Sequence, residues 1–382
     1  MILRSIDNLD ELINNDCREH IDTVKYRISN DDRLNSKELL DYINYSKASK
    51  KFYEMSDFNE LKAFYLHDIQ TTTSAFKQLN KKEIMIAYME LIRLSVMYEN
   101  IGEKAGLLSQ TCLNASLLGK GVCDSQAKYL CNLLLASNIK AIARKTYEKG
   151  HNHTVVIAQL GNKKVLLDPT NYDGSKNVFI KGSEIYKKNF GDDELSSLEV
   201  NYDEIIFARK ITMRHLVKKF KIDELSTKLQ LDTLDYDEKV IKIINFIQDN
   251  LISKVSDNME IRGVEFNDRE FDSGKLIELL FFANQIDYNL ISTGRGKANS
   301  YLSLKLFNQD MIMNPQGISE NHQYNFLVSV LENGEFSCVN KNLKIMNKID
   351  LVENSLLLKS QLIDPLRKNH IKYWPGVNLL VL

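Results

Sequence analysis

Cys123, His153 and Asp168 follow one another in the first half of the chain as a thiol, an imidazole and a carboxylate. A thiol attacks a carbonyl carbon efficiently only as the thiolate, and a neighbouring imidazole or the positive end of a helix dipole favours that form. A carboxylate that accepts a hydrogen bond from the imidazole fixes its tautomer and orientation. The three types in this order predict nucleophile, base and orienter of a cysteine-dependent reaction.

The residues around Cys123 predict a helix that begins at the nucleophile. Gly119-Lys120-Gly121 interrupts the preceding pattern, and Cys123, Ala127, Leu130, Cys131 and Leu134 then recur at intervals of three and four residues, as on one helix face. Gly121 allows the main chain to approach a substrate closely, and the Cys123 N–H is placed to stabilise an oxyanion. The thiol is therefore expected at the positive end of a helix.

His153 and Asp168 are predicted at neighbouring ends of a β-hairpin. A strand over His153–Leu160, a turn at Gly161-Asn162 and a strand over Lys164–Leu167 bring the imidazole back towards the carboxylate.

Three alternatives stay open for these residues. His151 shares strand parity with His153 and is the alternative base. Asp168 before Pro169 suits a turn cap, a frequent role of Asp-Pro. A zinc site from Cys123, His151 and His153 would use suitable ligand types, but it lacks paired Cys-x-x-Cys or His-x-x-x-His spacing.

The three motifs together resemble those of the transglutaminase-like superfamily. Gly121-Val122-Cys123-Asp124-Ser125-Gln126-Ala127 is similar to its nucleophile motif, Asn152-His153-Thr154-Val155-Val156 to its histidine strand, and Leu167-Asp168-Pro169-Thr170 to its aspartate motif. The resemblance covers roughly residues 80–200. It implies a papain-related α+β core and a transglutaminase, peptidase or deamidase acting on a peptide or protein, without a cofactor or metal.

Two departures from the family pattern concern the substrate groove. Many members carry Trp two residues after the histidine, where this chain has Val155, and aromatics before the aspartate, where it has Lys164–Leu167. The side chain that completes the oxyanion hole in such enzymes has two candidates here, Gln110 and Asn114.

Composition restricts the remaining function classes. The 50 Lys+Arg and 51 Asp+Glu residues leave a formal charge of -1. The chain therefore has no overall positive charge of the kind that favours binding to nucleic acid or to an anionic membrane. The short run Lys218-Lys219 with Lys221 is interpreted as a solvated helix face.

The five cysteines show no pairing pattern, which favours free thiols. No signal peptide or run of about 18 apolar residues is apparent, so a cytoplasmic location is expected, with leaderless export left open. The oligomeric state is not predicted.

An α+β fold in three regions is expected, with helices at 1–75, a transglutaminase-like catalytic domain at 76–210 and a second α+β domain at 211–382. Internal similarity leaves two interpretations of this last region open: a repeat of the catalytic domain, or a chance likeness between two helix-then-hairpin segments. A shift of 147 residues aligns Lys128 with Lys275, Leu133 with Leu280, Ala136 with Ala283, Ile139 with Ile286 and Thr146 with Thr293, and a shift of 146 aligns Leu160 with Leu306, Asn162 with Asn308 and Pro169 with Pro315.

The second copy lacks every catalytic residue. Glu270 or Glu265 takes the position of the cysteine, Asn299 or Ser300 that of the histidine, and Asn314 that of the aspartate. A catalytically dead repeat is therefore predicted. The alternative to an enzyme is a binding or scaffold protein that retains the fold without turnover.

Overall fold

The structure is a computed structural model, and it describes residues 3–30, 40, 43–98, 110–148, 151–172, 174, 177–180, 195–196, 198–256, 259–292, 300–306, 309–313, 327–330, 336–339 and 373–374.

Helices dominate the described part of the chain, and several begin where the sequence supplies a capping residue. Asn80 and Glu83 form a capping box, in which each side chain accepts from the other residue's backbone N–H, and Asn201 with Glu204 forms another. The helices are α1 (Leu9–Asn30), α2 (Lys47–Glu54), α3 (Phe58–Ala75), α4 (Lys81–Ser95), α5 (Cys123–Ala136), α6 (Tyr202–Lys219), α7 (Ile222–Lys228), α8 (Tyr236–Asp249) and α9 (Ser273–Ala283).

Within the described residues, the strands form four sheets. A short parallel pair joins β1 (Met97–Tyr98) to β2 (Lys120–Gly121). Antiparallel sheets are formed by β3 (Ala141–Glu148), β4 (His151–Leu160) and β5 (Lys163–Leu167), and by β6 (Leu251–Ser256), β7 (Met259–Phe266) and β8 (Arg269–Phe271). The last sheet has the order β13-β12-β11-β10-β9-β14, from β9 (Asn289–Ser292), β10 (Ser300–Leu306), β11 (Gln309–Met313), β12 (Leu327–Val330), β13 (Phe336–Val339) and β14 (Tyr373–Trp374).

Helix α5 packs against the sheet β3-β4-β5, and this layer carries the predicted site. Alternation along β4 sends Val156 and Ala158 into the main core that includes Leu130 and Leu134 of α5. The other face of the same sheet buries a smaller cluster of Val155, Ile157 and Leu166. The hairpin is therefore held from both sides.

The α+β class is confirmed, and so is the hairpin turn at Gly161-Asn162. Gly161 has φ +62, a backbone conformation that glycine adopts without the strain a Cβ would add. Helix α4 ends at Ser95, because Met97 and Tyr98 then pair with Lys120 and Gly121 in a parallel ladder.

The N-terminal and C-terminal regions share one hydrophobic core. The boundary predicted between residues 210 and 211 falls inside α6, whose buried residues pack against α4 and α9. The division into domains stays a prediction. The interpretation of Lys219 as solvated is wrong: its side chain is 14% exposed and forms an ion pair with Asp68.

The C-terminal region repeats the element order of the predicted catalytic region. Helix α9 precedes the consecutive antiparallel strands β9, β10 and β11, as α5 precedes β3, β4 and β5. Duplication of the sequence itself stays a prediction. Of the positions predicted for the histidine and aspartate in the second copy, Asn299 and Asn314 lie outside the described residues, whereas Ser300 begins β10.

Among the helices that the structure describes, none combines the length and the apolar character that crossing a lipid bilayer requires.

Candidate active site

Cys123 is the first residue of α5, as the sequence predicts. The residue before it, Val122, has extended backbone and supplies no side-chain cap. The positive end of the helix dipole thus lies at the residue that carries the thiol. The Cys123 side chain is neither fully buried nor fully exposed, so the sulfur is sheltered and still open to a reagent.

The backbone before Cys123 is fixed by hydrogen bonds from β1 and from α5. The Met97 N–H donates to the Gly119 carbonyl at 2.7 Å, and the Gln126 side-chain amide donates to the Gly121 carbonyl at 3.1 Å. Gly119 has φ +91, a left-handed conformation that disfavours any residue with a Cβ. The chain therefore turns sharply into α5 at a defined angle.

His153 and Asp168 meet at the open end of the hairpin. His153 Nε2 lies 2.8 Å from Asp168 Oδ2, and the carboxylate is buried, with 2% exposure. The Cys123 and His153 side chains interact closely enough that each shifts the pKa of the other. Since Asp168 occupies Nε2, Nδ1 is the ring nitrogen left for the sulfur.

Asp168 also caps the turn that follows it, in addition to its contact with His153. Its Oδ1 accepts the backbone N–H groups of Thr170 and Asn171 at 3.1 Å each. Asn171 Nδ2 donates to Oδ2 at 2.8 Å, beside His153. The turn holds the carboxylate in place while Oδ2 faces the imidazole.

These contacts favour a thiolate–imidazolium pair. Burial opposes both charges, but it is outweighed. For Cys123, the neighbouring, positively charged His153 and the Thr154 backbone N–H lower the thiol pKa below its ordinary value. For His153, the hydrogen bond to Asp168 and the negative charges of Asp168 and Cys123 raise the imidazole pKa to about 10. Asp168 is held ionised, its pKa lowered by His153 and Asn171 against the effect of burial.

The other predicted site residues lie in different settings. Gly121 lies in β2, two residues before the nucleophile. Asn114 is fully buried, its amide nitrogen donates to the Tyr53 hydroxyl, and its oxygen accepts from Thr111. Because both the nitrogen and the oxygen of the Asn114 amide are hydrogen-bonded inside the protein, we do not propose Asn114 as an oxyanion donor. Gln110 is partly exposed at the edge of the described chain and stays a prediction.

The backbone of His151 begins β4 opposite Glu148, whereas His153 pairs with Thr146. The His151 side chain lies outside the described residues, so the alternative base stays a prediction.

Two site residues were missed by sequence reasoning. Tyr98 is 46% exposed and pairs through its backbone with Gly121. Burial is the larger cause that raises the pKa of the Tyr98 phenol, and the negative charge of Cys123 adds to it. Asn171 steadies Asp168 from the turn. The sequence could have indicated Asn171, because an Asn three residues after an Asp is typical of a turn. It could not have indicated Tyr98, because the parallel pairing that places Tyr98 joins segments that are distant in the chain.

The other described cysteines have the opposite environment. Cys112 is fully buried and Cys131 is 4% exposed, and burial raises the pKa of the Cys131 thiol to about 12. Cys17 is also buried, with its pKa raised to about 12 chiefly by burial. Cys123 is therefore the thiol that the described structure activates. Within the same residues, no group of three or more His, Cys, Asp or Glu side chains is placed to hold a metal ion.

Comparison with protein-family models, with curated proteins and with solved structures finds no match for this chain. Membership of the transglutaminase-like superfamily therefore stays a prediction from the three motifs.

Proposed function

We propose that this protein is a cysteine-dependent acyl-transfer enzyme with a transglutaminase-like core that acts on an amide of a peptide or protein. The observation that carries the proposal is the 2.8 Å contact of His153 Nε2 with buried Asp168, beside a Cys123 thiol at the start of α5 whose pKa His153 lowers. Burial places the three groups where charge–charge attraction exceeds its strength in water. A cysteine retained only for packing would need none of these partners.

The first half-reaction would proceed as follows. The Cys123 thiolate attacks the amide carbonyl carbon, and the carbonyl oxygen becomes an oxyanion near the Cys123 N–H. The carbon–nitrogen bond then breaks while His153 Nδ1–H gives its proton to the leaving amine or ammonia. The products are a thioester on Cys123 and a neutral imidazole.

The second half-reaction would restore the pair. Water or an amine gives a proton to His153 as it attacks the thioester, and the thiolate leaves. Water completes a peptidase or deamidase reaction, and an amine completes a transglutaminase reaction. Asp168 remains ionised throughout, which keeps the Nε2–H in place and stabilises the imidazolium.

The test uses p-nitrophenyl acetate as a simple acyl donor for the full-length protein. Intact-mass measurement should show one acetyl group, peptide mapping should place it on Cys123, and hydroxylamine should remove it as expected for a thioester. Cys123→Ser serves as the negative control, since the change barely alters volume. Cys131→Ser serves as the matched control, because that thiol is buried and protonated.

The proposal fails if the wild type acquires no thioester, or if acetylation is distributed over several cysteines at slow, similar rates. That result would favour the binding or scaffold protein. If acetylation is confirmed, ammonia release, peptide cleavage and incorporation of a fluorescent primary amine into casein separate the three reaction classes.

A further inference from the structure

Arg269, in the C-terminal region, joins the end of α4 to the helical turn that leads towards Cys123. Its guanidinium donates to the carbonyls of Ser95 at 2.7 Å, Ala115 at 3.0 Å and Ser116. Ser95 ends α4, whereas Ala115 and Ser116 belong to the helical turn that ends just before Gly119. The Arg269 side chain is 5% exposed, and its guanidinium carbon lies 4.8 Å from the centroid of the Phe220 ring.

Glu270, the next residue, forms a buried ion pair with the same turn. Lys120 Nζ lies 3.2 Å from Glu270 Oε2, and the two side chains are 0% and 1% exposed. Oε1 accepts the Ser46 hydroxyl at 2.6 Å. Burial raises the pKa of the Glu270 carboxyl. Lys120 is three residues before the nucleophile.

The backbone of the two segments is also in close contact. A Cβ added to Gly119 would lie 2.4 Å from the Glu270 carbonyl oxygen and 2.7 Å from Arg269 Nε. Only glycine fits there, both because of its φ of +91 and because no space remains. The three residues before Val122-Cys123 are thus held between β1 and the segment Arg269-Glu270.

Glu270 is one of two residues that internal similarity aligns with Cys123. We propose that Arg269 and Glu270 are positioning residues for Cys123, so that the C-terminal region fixes the turn that presents the Cys123 thiol. The inference rests on the proposed function. It predicts that changes at these contacts alter the reactivity of Cys123 without any direct contact to the sulfur.

The test measures the rate constant for alkylation of Cys123 by iodoacetamide in the full-length protein, from pH 5 to 9, by peptide mass mapping. Glu270→Gln and Lys120→Met should each lower the rate at pH 6 by roughly fivefold or more and raise the apparent thiol pKa. The double variant should be little worse than either single one, as expected for residues that act as a pair.

Two controls separate positioning from general stability. Asp268→Asn removes a carboxylate two residues away, whose exposed partner Lys51 lies outside the turn. Ile247→Val weakens the core at a fully buried position of α8. Both should leave the pH profile of alkylation unchanged, even where Ile247→Val lowers the melting temperature as much as Glu270→Gln does.

The inference is overturned if the Glu270 and Lys120 variants fold and alkylate like the wild type, or if Ile247→Val slows alkylation equally. If those variants do not fold, Gly119→Ala, which forces the turn away from Glu270, must slow alkylation of Cys123. A wild-type Cys123 that reacts no faster at pH 6 than glutathione overturns the proposed function and this inference with it. A fast wild type with unaffected variants overturns only the inference.

Discussion

His153 Nε2 lies 2.8 Å from Asp168 Oδ2, while the other oxygen of the same carboxylate accepts two backbone N–H groups of the following turn. The aspartate thus links imidazole orientation to turn geometry. An amide at this position can still cap the turn through its oxygen, but it cannot carry the charge that holds the imidazolium. Substitution can therefore separate the two roles.

Asp168→Asn should reduce stability in a pH-dependent way. Because the pKa of His153 is raised to about 10, its contribution is fully present below the unfolded imidazole pKa and is lost as pH rises through about 10. The free energy of unfolding of Asp168→Asn should be lower than that of the wild type by about 2 kcal/mol at pH 6. The difference should shrink towards zero above pH 10. Urea unfolding at several pH values measures it.

Asp168→Ala provides the comparison, because it removes the turn cap as well. It should lose stability at every pH, including values above 10, whereas Asp168→Asn should recover there. If both variants lose the same free energy at all pH values, the His153–Asp168 bond contributes nothing beyond the turn, and the orienter role is wrong.

Exchanging the two histidines of β4 should identify the base. His153→Gln should raise the pKa of the Cys123 thiol towards or above its ordinary value, since burial then acts without the imidazolium. His151→Gln should leave that pKa unchanged. The pH dependence of iodoacetamide alkylation measures both, and the opposite pattern would assign the base to His151.

Sequence alone predicted the parts of the site that depend on local pattern. The glycine break before Cys123 and the apolar spacing after it placed the start of α5, and the Gly161-Asn162 turn placed His153 near Asp168. These features follow from interactions between residues close in the chain.

The parts that were missed depend on distant contacts. The sheet β6-β7-β8 was not predicted, and neither was the contact of Arg269-Glu270 with the turn before Cys123. Lys219 was interpreted as solvated because three nearby lysines suggest an exposed face, but α3 supplies Asp68 as its partner. Spacing along one element cannot reveal a counter-charge on another.

Arg93 should be among the most sensitive positions for stability. Its guanidinium is fully buried, donates to Glu90 at 2.9 Å and pairs with Glu278 of α9 at 2.9–3.0 Å. Arg93→Met would leave buried carboxylates with fewer partners, so the free energy of unfolding should fall by about 3–5 kcal/mol. Lys82→Met is the control, because its pair with Glu204 is 27% exposed on each side and contributes about 0–1 kcal/mol.

The same network predicts how acid affects the fold. The pKa values of Glu90 and Glu278 are lowered to about 2, because the neighbouring guanidinium groups outweigh burial. Their contribution is present above the ordinary glutamate pKa and is lost as pH falls through about 2. Wild type and Arg93→Met should therefore differ most near neutral pH and converge in strong acid, as measured by circular dichroism. A constant difference would contradict the ionised network.

Tyr98 offers a test of the charge on Cys123 from outside the triad. Burial and the nearby thiolate both raise the pKa of its phenol. Cys123→Ser removes the thiolate charge, so the Tyr98 pKa should fall part of the way back towards its ordinary value. Ring-labelled tyrosine followed by NMR over a pH titration measures this, with Tyr98→Phe to assign the signal. Tyr236, whose pKa is raised to about 12 by burial and by Asp287 and Asp237, should not move. If Tyr98 titrates identically with and without the thiol, the two side chains are not electrostatically coupled, and the placement of the phenol beside the nucleophile is wrong.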